Sequence, residues 1–76
     1  MENPFKQLSS KIKKAIRNKA ISRARTRIVI AQKNPEEFTP EELEVIVQEE
    51  EAAIYSGIRE KGLLAILAVL GINIFG

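Results

Sequence analysis

Histidine, cysteine and tryptophan do not occur among the 76 residues of this chain, and aromatic rings come from three phenylalanines and one tyrosine alone. Without cysteine and histidine, the sequence offers no disulfide, no thiolate or imidazole zinc site, and no Ser-His or Cys-His nucleophile pair. The commonest general base of enzymes is missing for the same reason. We therefore expect a protein that is not an enzyme and that carries no cofactor or metal.

The start of the sequence lacks the features of a secretory signal peptide. Glu2, Asn3 and Pro4 lead directly into a lysine-rich stretch. An apolar core followed by a small-residue cleavage site, which such peptides require, is not found there. The sequence thus predicts a cytoplasmic protein, either free or held peripherally on the cytoplasmic face of a membrane.

Acidic residues are almost absent from the first 33 positions. Glu2 alone stands there against ten lysines and arginines, for a net charge of +9. Residues 34–58 reverse the sign, since their eight charged residues are all glutamates and give −8, and residues 59–76 add +1. The whole-chain charge of +2 hides this separation. Charge blocks of this kind either pair with each other inside the fold or bind an external partner of opposite charge.

The basic region, residues 5–33, is predicted to be helical. Its apolar residues recur at spacings of three and four, but they fall into two stripes on different sides of the helix. The stripes are Phe5, Leu8, Ile12 and Ile16, and then Ile21, Ala24, Ile28 and Ala31. The change of side predicts a kink or a restart of the helix near residues 20–22, where Ser22 is a candidate cap.

A loop over residues 34–39 is predicted to end the basic region. Asn34 tolerates the left-handed turn at a helix end, and Pro35 cannot donate the next backbone hydrogen bond. The acidic segment that follows, residues 40–61, is predicted to be a second helix.

The start of this acidic helix carries a strong local signal. Thr39 suits the capping position, Pro40 suits the first helical position, and Glu42 stands where it closes a capping box. We also expect Phe38 to pack on Leu43. The run of glutamates at positions 49–51 is not expected to bind a metal, because consecutive helical side chains point about 100° apart.

Residues 63–75 include no charged residue and are predicted to form a third, apolar helix. Large side chains surround the axis of this helix instead of lining one side, so it must be buried against something. At about 1.5 Å per residue it is shorter than the roughly 30 Å hydrocarbon core of a bilayer. Three destinations remain open: the middle of a helical bundle, a subunit interface, or partial insertion into one leaflet.

Together these segments predict an all-α protein, a small bundle of three to four helices that forms one domain over residues 1–76. The order is a basic N-terminal helix, an acidic central helix and an apolar C-terminal helix. Two candidate surfaces follow. The electrostatic patch consists of Lys11, Lys13, Lys14, Arg17, Lys19, Arg23, Arg25 and Arg27, and the apolar docking set consists of Leu63, Leu64, Ile66, Leu67, Leu70, Ile74 and Phe75.

The functional prediction is a noncatalytic interaction module. Its apolar helix would dock to a membrane surface or to a larger protein complex, and its basic helix would supply electrostatic attraction. The expected partners are another protein or a second copy of the chain, with an anionic membrane surface as a further candidate. The alternative is a nucleic-acid-associated protein that uses the apolar helix as core or dimer interface. A membrane-active, toxin-like peptide is a third reading, for which the eight glutamates are unsuited.

Overall fold

Three α-helices dominate the computed structural model, which describes residues 10–72. α1 spans Ser10–Ile30, α2 spans Pro40–Lys61 and α3 spans Leu63–Leu70, and a single 3₁₀ turn, Pro35–Glu37, lies between α1 and α2. Strands do not occur within these 63 residues, 10 to 72. The predicted all-α fold is confirmed as a small helical bundle.

One diagonal row of apolar side chains packs α1 against the rest of the molecule. Its members lie four positions apart and are all buried: Ile16, Ala20, Ala24 and Ile28. Since four residues exceed one helical turn of 3.6, such a row winds slowly around the helix.

This row joins Ile16 of the first predicted stripe to Ala24 and Ile28 of the second, whereas Ile21 and Ala31 are exposed. Residues 5–9 of the predicted basic helix, with Phe5 and Leu8, lie outside the described residues. α1 is continuous through residues 20–22, so the predicted restart is wrong, and the Ser22 carbonyl accepts a hydrogen bond from the Thr26 hydroxyl within the helix.

α1 ends earlier than the sequence suggested, and a different residue turns the chain. Gln32 has the left-handed backbone (φ 60°) that was expected at Asn34. The Lys33 amide donates to the Ile28 carbonyl at 3.1 Å, and the Gln32 amide donates to the Val29 carbonyl at 2.9 Å. These two bonds form a Schellman motif, which satisfies carbonyls at the helix end.

Asn34 instead caps the 3₁₀ turn that occupies half of the predicted loop. Its side chain accepts from the Glu36 amide at 3.0 Å, while its own amide donates to the Glu37 carboxylate at 2.8 Å. Thr39 repeats this arrangement at the start of α2, where its hydroxyl accepts from the Glu42 amide at 3.1 Å and its amide donates to the Glu42 carboxylate at 2.8 Å. The predicted capping box and the predicted bounds of α2 are confirmed.

The core lies mainly between α1 and α2, and α3 covers one side of it. Ile16, Ala20 and Ala24 form a buried cluster with Val47, Ile54 and Ile58 of α2. α3 contributes the buried Leu67, and Leu63, Ile66 and Leu70 pack against the cluster while partly exposed. Gly57 permits the close approach of α2 and α3, because a Cβ at this position would lie 3.1 Å from the Ile66 side chain.

α3 is shorter than the predicted apolar helix. It ends at Leu70, and Gly71 turns the chain in a left-handed conformation (φ 73°), with the Ile72 amide donating to the Leu67 carbonyl at 2.9 Å. The predicted helix is therefore wrong at Gly71 and Ile72. Residues 73–75 of that prediction, including Ile74 and Phe75, lie outside the described residues. Among residues 10–72, no helix combines the length and the hydropathy needed to span a bilayer.

Candidate interaction surfaces

Arginines of α1 and glutamates of α2 form ion pairs along the contact between the two helices. Arg17 donates to Glu44 at 3.0 Å through Nη1 and also through Nη2, so the pair is bidentate. The Arg17 Nη1 atom also donates to Glu51 at 2.8 Å. Bidentate charge-assisted bonds of this kind fix geometry as well as adding energy.

A second set of ion pairs lies further along α1. Arg23 Nε lies 3.0 Å from the Glu50 carboxylate. Arg27 contacts two glutamates, Glu49 at 2.9 Å and Glu50 at 3.4 Å. The Glu50 side chain is only 15 % exposed, whereas those of Arg23 and Arg27 are about half exposed at 47 % and 51 %. The half-buried Glu50 of α2 is thus paired with two arginines of α1.

These contacts shift the ionisation of the groups involved. Hydrogen bonds from Arg17 hold the pKa of Glu44 below its ordinary value. The pKa of Arg17 is raised, mainly by its hydrogen bonds to Glu44 and Glu51, and the pKa of Arg27 is raised mainly by its bond to Glu49. Each shift favours the charged form, so the pairs are ionic at neutral pH.

The three glutamates at positions 49–51 do not all contact the same arginine of α1. Glu51 binds Arg17, while Glu49 and Glu50 bind Arg27, about ten residues further along α1. The three carboxylates therefore do not converge on one point. Within residues 10–72 there is no group of three or more side chains suited to hold a metal ion.

The predicted electrostatic patch divides into two groups. Arg17, Arg23 and Arg27 are paired with α2, as described above. The other five make no ion pair with any residue of the described chain, and all but Lys19 are exposed: Lys11, Lys13, Lys14, Lys19 and Arg25. Charge compensation inside the fold thus uses a minority of the patch.

The charges that form no ion pair between α1 and α2 differ in sign between the two ends of α1. At about 1.5 Å per residue, the 21 residues of α1 span roughly 31 Å. Lys11, Lys13 and Lys14 lie near the start of this helix. The 3₁₀ turn and the first turn of α2 follow its end, and Ile28 and Leu43 line one groove there. Glutamates of these two turns give the second end the opposite charge: Glu36, Glu37, Glu41 and Glu42.

α3 packs against the core with one side and exposes the other. Leu64 is 63 % exposed and Val69 is 80 % exposed, and Ala65 and Ala68 beside them are exposed as well. Since no residue of α3 is charged, this outer face of α3, defined as Leu64, Ala65, Ala68 and Val69, is a continuous apolar surface. Exposed apolar patches of this kind are typical of sites that contact a partner or a membrane.

The structure assigns most of the predicted apolar docking set to internal packing. Leu67 is buried, and Leu63, Ile66 and Leu70 are partly buried against the core. Among the predicted members within residues 10–72, only Leu64 lies on the outer face of α3. The other three residues of the outer face were not predicted: Ala65, Ala68 and Val69. A helical wheel that places Leu63, Ile66, Leu67 and Leu70 on one side places these three on the opposite side.

An apolar groove lies at the acidic end of the molecule. It has a volume of about 120 Å³, and it is lined by Ile21, Ala24, Arg25, Ile28, Pro35, Leu43 and Val47. Pockets for cofactors and drug-sized ligands usually measure about 300–1,000 Å³. The groove is therefore smaller than a typical cofactor site.

Comparison with models of known protein families, with curated proteins and with solved structures found no match to this chain.

Proposed function

We propose that this chain is a noncatalytic interaction module that docks through the outer face of α3 to a membrane surface or to a larger protein. The observation that carries the proposal is the exposure of Leu64 and Val69 on a helix without any charged residue. The inner side of the same helix already covers the core. The outer face of α3 remains exposed to a partner.

The size of this face sets the strength of docking. Fully burying a Leu or Val side chain contributes about 1.5–3 kcal/mol. Leu64 and Val69 together would contribute roughly 3–6 kcal/mol, which is comparable to the cost of association. Docking by these two side chains alone would therefore be weak and reversible, and further contacts are needed for stable binding.

Vesicle flotation with surface variants tests the proposal. We expect the intact protein to float with vesicles and the double variant Leu64→Gln/Val69→Gln to remain largely in the dense fraction. The matched control is Val29→Gln/Ile30→Gln, which replaces two exposed apolar residues of α1 and should float like the wild type. Circular dichroism checks that both variants remain helical, as their exposure predicts.

Two results would count against this function. If the intact protein floats with no vesicles, the membrane form of the proposal is excluded. If sedimentation velocity then shows that Leu64→Gln/Val69→Gln also leaves the mass of the protein's complexes in cell extract unchanged, the outer face of α3 is not a docking site.

Nucleic-acid association is the second candidate, and the five unpaired cations of α1 favour it. Such charges give affinity that falls steeply with salt, because binding releases counterions. Fluorescence anisotropy with labelled duplex and single-stranded DNA at low salt tests this candidate. An unchanged anisotropy for both probes would exclude it.

A further inference from the structure

The start of α1 and the inner side of α3 both pack against the core cluster. Ile12 of α1 packs against the core cluster that Leu63, Ile66 and Leu70 of α3 also contact. Lys11 and Lys13 are the immediate neighbours of Ile12, and Lys14 follows one position later; all three are exposed and without an ion pair in the described chain.

The end of α1 lies beside the start of α2, where Ile28 and Leu43 line one groove that no residue of α3 lines. α3 follows the other end of α2. We therefore place α3 and the exposed cations at the start of α1 on the side away from this groove, and name that side the basic-apolar end.

The opposite end of α1 has the reverse character. Glutamates of the 3₁₀ turn and of the first turn of α2 lie there, as described above. The two ends are separated by more than the Debye length, about 8–10 Å at physiological salt, so each acts as a local field of its own sign. A negatively charged surface attracts the basic-apolar end and repels the acidic end.

We infer that the basic-apolar end binds the leaflet of a membrane that contains anionic phospholipids, with the lysines near the phosphates and the outer face of α3 against the acyl boundary. This inference deepens the proposed docking function and rests on it. Charge complementarity and the adjacent apolar face together favour this occupant. Neither feature alone specifies a lipid surface, but interfacial helices combine both.

A nucleic acid is a poorer occupant of this end. α1 contains no aromatic residue on which a base would stack. An apolar surface next to the cations would also stay in water on a phosphate backbone, whereas at a lipid interface it is buried. Phosphate chemistry is common to both, and the apolar face of Leu64 and Val69 distinguishes them.

Flotation with two vesicle compositions tests the inference. The probes are phosphatidylcholine vesicles with and without phosphatidylserine. We expect stronger binding to the anionic vesicles, with a preference that decreases as salt is added. The variant Lys11→Gln/Lys14→Gln should lower the partition coefficient on anionic vesicles roughly 25-fold, or about fivefold for each cation removed, with little effect on vesicles of phosphatidylcholine alone.

The matched control removes two exposed cations from the other end. Arg25→Gln/Lys33→Gln causes the same change in net charge, but Arg25 lines the groove at the acidic end, about 16 Å along α1 from Lys14. We expect this control to retain most of the preference for anionic vesicles. Equal losses from the two double variants would overturn the inference, because net charge alone would then explain the binding.

The outcomes separate this inference from the proposed function. Flotation with neither composition refutes both. Equal flotation with both compositions, reduced by Leu64→Gln/Val69→Gln, supports docking through α3 and overturns the lysine role. Salt-sensitive anisotropy of labelled DNA that Lys11→Gln/Lys14→Gln abolishes, without any preference for anionic vesicles, would assign the lysines to nucleic acid instead.

Discussion

The contact of α1 with α2 and the contact of α3 with the core differ in the interactions that stabilise them. α1 and α2 join a buried apolar row to flanking ion pairs, so that Arg17, Arg23 and Arg27 each find a carboxylate. α3 has no charged residue, and its outer side finds no partner in the described chain. Burial and charge together complete the first contact. The second relies on burial alone and leaves a surface open.

The largest expected effect comes from the core between α1 and α2. Ile54 is 2 % exposed, and Ile54→Ala removes buried methyl and methylene groups and leaves a cavity. We expect the free energy of unfolding to fall by about 2–5 kcal/mol, which is enough to unfold a domain of this size. Urea denaturation followed by circular dichroism measures it. Leu64→Ala on the outer face of α3 should change stability by less than about 0.5 kcal/mol, and a comparable loss there would mean that α3 is closed on both sides.

The junction of the two regions should be the next most sensitive position. Gly62 joins α2 to α3 with a φ of 96°, a conformation that side chains disfavour, although open space surrounds it. Its ψ of 153° lies outside the left-handed helical region, so Gly62→Ala should destabilise through backbone strain, by about 1–3 kcal/mol. Thermal unfolding measures the loss. Gly71→Asn is the matched control, because Gly71 (φ 73°, ψ 22°) lies in the left-handed helical region that Asn tolerates, and it should cost less than Gly62→Asn. Equal losses from Asn at the two positions would argue against strain at Gly62 as the cause.

The start of α2 gives a smaller effect. Thr39→Ala removes the hydroxyl that accepts from the Glu42 amide, and loss of such a cap costs about 1 kcal/mol. Thr39→Ser retains the acceptor and should keep most of the stability. Denaturant titration of both variants distinguishes the hydrogen bond from the effect of the Thr methyl group, since the two variants would be equally unstable if the methyl group were responsible.

The start of α2 was predictable from the sequence, and contacts between distant residues were not. The capping box at Thr39 is complete within four positions, so its prediction holds to the residue. Arg17 and Glu44 are 27 positions apart, and their pairing depends on how α1 lies on α2. The same dependence explains why Ile16 and Ile28 were assigned to different stripes of α1. In the structure they belong to one buried row whose members lie four positions apart. The dependence also explains why Leu67 lies in the core and Val69 on the surface, since hydropathy alone does not distinguish them.

The ion pairs between α1 and α2 should make the smallest contribution, and pH isolates it. Glu44 has a lowered pKa in the fold because Arg17 donates hydrogen bonds to it. A carboxyl group whose pKa is lower in the folded state stabilises the fold above its unfolded value, near 4.5, and this stabilisation disappears as the pH falls through the folded value. The side chains are about 40 % exposed, so the effect should be modest.

Comparison of Glu44→Gln with the wild type between pH 7 and pH 3 measures that contribution. We expect the variant to be less stable at pH 7 and to converge on the wild type in acid, because protonation removes the same interaction. In an Arg17→Gln background the substitution at position 44 should make much less difference at any pH. The contrary result is a difference between the free energies of unfolding of the wild type and Glu44→Gln that stays constant down to pH 3. In that case the ion pair does not stabilise the contact between α1 and α2, and the buried apolar row alone distinguishes this contact from the exposed outer face of α3.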